Sequence, residues 1–107
     1  MANEYKRLAA SRPADTNEAE LYASSSDQYI VASLSVCNQT AGELSYSIAL
    51  TDASGAAANE DWICYSFPIQ ANMAHKRSIS LGDGDTIRIK SSSGDGISFV
   101  LYGLLIT

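Results

Sequence analysis

The sequence predicts an all-β protein: a single antiparallel β-sandwich, jelly-roll-like, of seven or eight strands, preceded by an extended N-terminal arm. Three observations carry this expectation. Apolar residues alternate with small or polar ones at a period of two over successive short segments. Clusters of Gly, Asp, Asn and Ser separate those segments at roughly 8–12-residue spacing. From Glu18 onward no window sustains the 3.6-residue apolar stripe of an amphipathic helix. The 107 residues suit one domain, divided here into an arm (1–17) and a sandwich (18–107).

The arm begins with Met1 to Ala10, which includes the charged run Glu4-Tyr5-Lys6-Arg7 and could form a helical turn or an edge strand. Pro13 and its polar neighbours break either one. The arm is expected to pack loosely on its own domain and to order against a neighbour. Leu21-Tyr22 follows in a short strand. Ile30, Ala32, Leu34 and Val36 then alternate with Val31, Ser33 and Ser35, and Gly42 ends the run. Leu44, Tyr46, Ile48 and Leu50 alternate with Ser45, Ser47 and Ala49, the pattern of a half-buried strand with Tyr46 inward. Asp52 to Gly55 reads as a turn and residues 56–59 as a loop. Trp62 to Phe67 is rich in aromatics and ends near Pro68, where a missing N–H is tolerated. In Arg77–Leu81, Ile79 and Leu81 share one side. In Thr86–Lys90, Ile87 and Ile89 point in while Thr86, Arg88 and Lys90 point out. Ile97 to Ile106 is apolar on both faces, as expected for a central strand or one covered by another subunit.

Composition narrows the function. Hydrophobic residues make up 46% of the chain and charged residues 18%, so much of the surface is Ser, Thr, Asn, Ala and Gly, which loses little on burial against a partner. The net charge of −5 and pI near 4.5 argue against nucleic acid and anionic membranes. No apolar run reaches the ~18 residues of a membrane span, and residues 1–12 lack the apolar core of a signal peptide. Cys37 and Cys64 read as small buried hydrophobes more than as a bridge. The sequon Asn38-Gln39-Thr40 carries no weight without a secretion signal.

No residue pattern points to catalysis, a metal or a cofactor. His75, the single histidine, lies in a segment read as a solvated loop, with no second ligand at zinc spacing. Asp83, Asp85 and Asp95 beside glycines could suggest calcium, but a tight turn requires the same residues. The serines have no nucleophile elbow. Tyr22, Tyr29, Tyr46, Tyr65, Tyr102 and Trp62 suit core or subunit contact better than a ligand platform.

The order of motifs resembles a known group. Leu21-Tyr22 is followed by Val36-Cys37-Asn38-Gln39, Ile48-Ala49-Leu50, Asp61-Trp62-Ile63-Cys64-Tyr65, Pro68-Ile69-Gln70-Ala71-Asn72, Gly84-Asp85-Thr86-Ile87-Arg88-Ile89 and Ser98-Phe99-Val100-Leu101-Tyr102-Gly103. From about Leu8 to the end this is similar to small structural proteins of tailed phages, including phages of cyanobacteria. The resemblance implies a β-sandwich located in the virion, assembled in the host bacterial cytoplasm. It carries over no functional residue. The expected role is a capsid cement or decoration protein that bridges capsid subunits. Its partners would be the major capsid protein or other virion proteins, and it would form a homo-oligomer, most simply a trimer. Subunit or capsid contacts are expected at Tyr5, Leu8, Pro13, Leu21, Tyr22, Tyr102 and Leu104. The alternative is a tail or fibre module that binds host glycan through Trp62 or Tyr65 and loop Asp and Asn side chains.

Overall fold

The computed structural model describes residues 3–25, 28–52 and 56–106. Eight strands follow in order: β1 (Asn3–Ser11), β2 (Ala19–Ala23), β3 (Tyr29–Asn38), β4 (Leu44–Thr51), β5 (Trp62–Ile69), β6 (Ala74–Leu81), β7 (Thr86–Ser91) and β8 (Ile97–Ile106). A short 3-10 turn, Asn59–Asp61, leads into β5. Part of the turn read at 52–55 lies outside the described residues.

The strands form two sheets, ordered β1-β8-β3-β6 and β2-β7-β4-β5, with every pairing antiparallel. Except between β4 and β5, each connection carries the chain from one sheet to the other, and the last described strand returns to pair with the first. This is jelly-roll wiring. The two inner faces meet in one core. Ile30, Leu34 and Val36 of β3, Ile79 and Leu81 of β6, and Ile97, Phe99 and Leu101 of β8 face Tyr46 and Ile48 of β4, Ile69 of β5, and Ile87 and Ile89 of β7. The period-two alternation read in β3, β6 and β8 is what directs these side chains inward. In β8, Gly103 sits where any Cβ would come within 2.8 Å of the Val31 carbonyl oxygen, so that strand reaches β3 only through a glycine.

Four expectations need correction. The segment read as a loosely packed arm is β1, hydrogen-bonded along β8 from Asn3↔Ile106 to Ser11↔Phe99, with Leu8 and Ala9 packed on the core. Its charged residues mark a solvated edge strand, not a detached one. Thr86, read as outward and solvated, is buried, because β2 and β4 flank it on both sides and Thr51 stands opposite it. His75 is half-buried in β6, not in a solvated loop. The alternation of β5 breaks at Ser66, whose φ of 50° marks a bulge. Consequently Cys64 and Phe67, three residues apart, stand opposite the inward Ile48 and Tyr46, and Pro68, read at the strand's end, lies within it, before its last residue.

Candidate functional site

The outer face of the β1-β8-β3-β6 sheet is the most apolar exposed surface among the described residues. Register places its residues in rows. Tyr5, Leu104 and Val31 lie side by side across β1, β8 and β3. Ile106 is opposite Tyr29, and Tyr102 is opposite both Arg7 and Ser33. Tyr5, Tyr29 and Val31 are 69%, 61% and 58% exposed, and Tyr102 is 43% exposed. The Tyr5 and Tyr102 rings lie 5.3 Å apart and tilted. Val100, Leu104 and Ile106 are half-buried between their neighbours on the same face. Beyond the apolar cluster the face turns small and polar, through Ser33 and Ser35 of β3 and Ser78 and Ser80 of β6. At its far end a shallow hollow of about 360 Å³ is lined by Ala10, Arg12, Gln39, Ser98 and Val100, among others.

Sequence reasoning pointed to seven contact residues, and the structure divides them. Tyr5, Tyr102 and Leu104 come together on this face. Leu8, Leu21 and Tyr22 turn inward against the core. Pro13 lies in the β1–β2 connection, where its carbonyl accepts the Asp95 N–H at 2.8 Å. Tyr29 and Val31 lie on the same surface and were not among the seven. The signal was present: both share the outward parity of β3, which otherwise carries Ser33, Ser35 and Cys37.

The opposite outer face, on β2-β7-β4-β5, is polar along β7 and β4 and carries exposed Ile63 and Tyr65 on β5. Glu18 forms an ion pair with Arg88 and accepts the Ala57 N–H at 2.8 Å, tying the residues before β5 to β7. Burial alone would raise the Glu18 pKa. The Ala57 N–H and the Arg88 guanidinium, with Lys90 nearby, outweigh it and hold the carboxyl below the usual Glu value. Next to this pair is a pocket of about 400 Å³ lined mainly by Thr16, Asn17, Ser45, Ser47, Ser66 and Lys90. Trp62 and Tyr65, the aromatics expected for glycan, line neither hollow. Their rings contact each other edge-on at 5.2 Å on β5.

Along the side where β5 and β6 face each other, Tyr46 Oη lies 2.8 Å from His75 Nδ1 and accepts from Arg77 Nε at 3.3 Å. That bond, opposed by partial burial, raises the Arg77 pKa. The Arg77 guanidinium also stacks 4.6 Å from the Phe67 centroid. These contacts give His75 a structural task, joining the two sheets. Asp85 accepts the Gly82 N–H at 2.8 Å in the turn before β7, whereas Asp95 lies beyond the other end of β7 with φ 56°. The aspartates considered for calcium therefore do not converge. Both cysteines are free: Cys37 faces outward on β3, and Cys64 packs against the core, where burial raises its thiol pKa.

The architecture defines the fold class, an eight-stranded jelly roll, and one solved structure shares that fold. The chain is similar to the coat protein of Tobacco streak virus, with a TM-score of 0.55 at 8% identity over 98% of this chain and 86% of that one. Two further matches are weaker. A structure of infectious bursal disease virus, Gx strain, has a TM-score of 0.49 at 14% identity over 97% of this chain and 30% of that one. A Tobacco streak virus coat protein dimer has a TM-score of 0.42 at 8% identity over 95% and 84%. No protein-family model and no curated protein matches the sequence.

Proposed function

We propose that this chain is a structural protein of a virus particle, and more closely a cement or decoration protein of a tailed-phage head. It would bridge neighbouring capsid subunits and stiffen the shell. The observation that carries this reading is the jelly-roll wiring of two four-stranded sheets, one of which offers an exposed apolar outer face. A surface of that kind in a small domain marks a contact with another protein. The low-charge serine rows around it are inexpensive to desolvate. Homo-oligomerisation, most simply as a trimer, would cover the free edges of β1 or β6. Tyr5, Tyr102 and Leu104 are the contact residues retained from the sequence; Tyr29 and Val31 join them.

The test is to purify the particles and identify the chain in them by mass spectrometry, then compare the temperature at which heads with and without it release their DNA. The chain should co-purify in stoichiometric amounts, and heads lacking it should open at lower temperature. A chain found only in tails, or heads indifferent to its loss, would refute the cement role.

A further inference from the structure

The outer face of β1-β8-β3-β6 also carries a distinctive charge pattern. The chain holds twelve acids against seven Lys and Arg. Nevertheless no Asp or Glu occupies a strand position on this face, whereas Arg7 and Lys76 do, and Arg12 lies at its end beside the hollow. Of the remaining cations, Lys6 pairs with Glu4, Arg88 with Glu18, and Arg77 with Tyr46 and Phe67, while Lys90 lines the pocket on the opposite sheet, near Glu18. Among the described residues, neither Arg7, Arg12 nor Lys76 has a carboxylate within ion-pair distance; Arg12 bonds only the Gln39 amide, at 3.3 Å. An acidic protein thus places three of its seven cations, none with a carboxylate partner among the described residues, around this apolar face.

We infer that this face docks a different protein, one whose apolar surface is bordered by carboxylates. Charge complementarity selects that occupant. A second copy presenting the same face would bring like charges together around the apolar cluster. Nucleic acid would find a few cations set among tyrosine, valine and leucine, not a continuous basic track. The inference rests on the virion reading and adds the chemistry of the partner. It assigns the heterologous contact to this sheet and leaves the strand edges for contacts between copies.

A zero-length carbodiimide cross-linker, applied to purified particles, tests it by joining Lys76 to any carboxylate in direct contact. The expected product links Lys76 to an Asp or Glu of another virion protein. A link to a carboxylate of this chain's own copies, or Lys76 left unmodified in particles that contain the chain, overturns the inference while the virion reading stands. Absence of the chain from particles defeats that reading first. In parallel, R7E/K76E should bind particles stripped of the chain about ten-fold more weakly than the parent in low salt. Both sites are exposed, so the thermal midpoint should not move. If the double variant does not fold, K76Q serves in its place, with the cross-link lost and binding weakened. Undiminished binding by a folded variant, or binding abolished by nuclease treatment, overturns the proposal.

Discussion

Asn38 is fully buried, and its side chain is bonded on both sides. Its amide donates to the carbonyls of Gly42 and Ile69 at 2.8 and 3.0 Å, and its oxygen accepts from the Thr40 N–H and hydroxyl at 2.9 and 2.8 Å. One residue thereby fixes the β3–β4 turn and ties it to the end of β5. Its burial also explains why a sequon in this position is no glycan acceptor. Asn38→Ala strands these partners and should lower stability by about 2–3 kcal/mol in chemical denaturation. A change under about 0.5 kcal/mol would show that the turn holds without it. Glu18 makes a different kind of prediction. Its pKa is depressed in the folded state, so its stabilisation is complete above the unfolded value of about 4.3 and is lost as pH falls through the folded one. Glu18→Gln should therefore be less stable than the parent at pH 7, and the two should converge as pH drops towards 3. Parallel curves in denaturant midpoints across that range would contradict the assignment.

At the scale of elements, β1 is the strand whose role changed most between sequence and structure. From the residues alone, removal of 1–12 should leave a soluble domain. With β1 paired along β8 and Leu8 and Ala9 on the core, the same truncation should uncover the β8 edge and part of the interior. The expected result is a fall of several °C or more in the thermal midpoint, with aggregation. A monomeric truncation with an unchanged midpoint would restore the picture of a separable arm. Strands β3 and β6 were readable because one face of each is buried apolar and the other largely small or polar, the arrangement that period-two reasoning detects, and β8 because it is apolar on both faces. The pattern fails where local irregularity or charge intervenes. Lys6 and Arg7 disguise β1, the bulge at Ser66 scrambles β5, and a register shift between Glu20 and Tyr22 turns both Leu21 and Tyr22 towards the core. The polar tie between Tyr46, His75 and Arg77 joins residues far apart in sequence, which no local pattern announces.

The whole molecule has two unlike outer surfaces on a shared core. One is apolar, bordered by cations and free of strand carboxylates, and the other is polar along β7, where the Glu18–Arg88 pair ties it down, with exposed Ile63 and Tyr65 on β5. Three of the seven residues foreseen from the sequence share the apolar surface, because parity within a strand shows which residues share a side but not which side faces the core. If the apolar surface serves contact and not folding, V31T and Y5S together should change folding stability by less than about 1 kcal/mol while reducing hydrophobic dye binding and binding to particles stripped of the chain. A large loss of stability would make those side chains part of the fold.

Asn3 stands opposite Ile106 on adjacent antiparallel strands, so the outermost paired residues are already placed as the two arms of a hairpin. A linker of about two to five residues could join them without disturbing either sheet. New ends could then be opened at Gly82–Asp85, the turn between β6 and β7, giving a circular permutant with the same layers in a different chain order. Cargo fused at the new ends of such a molecule would leave from the turn between β6 and β7 instead of from the Asn3–Ile106 pair.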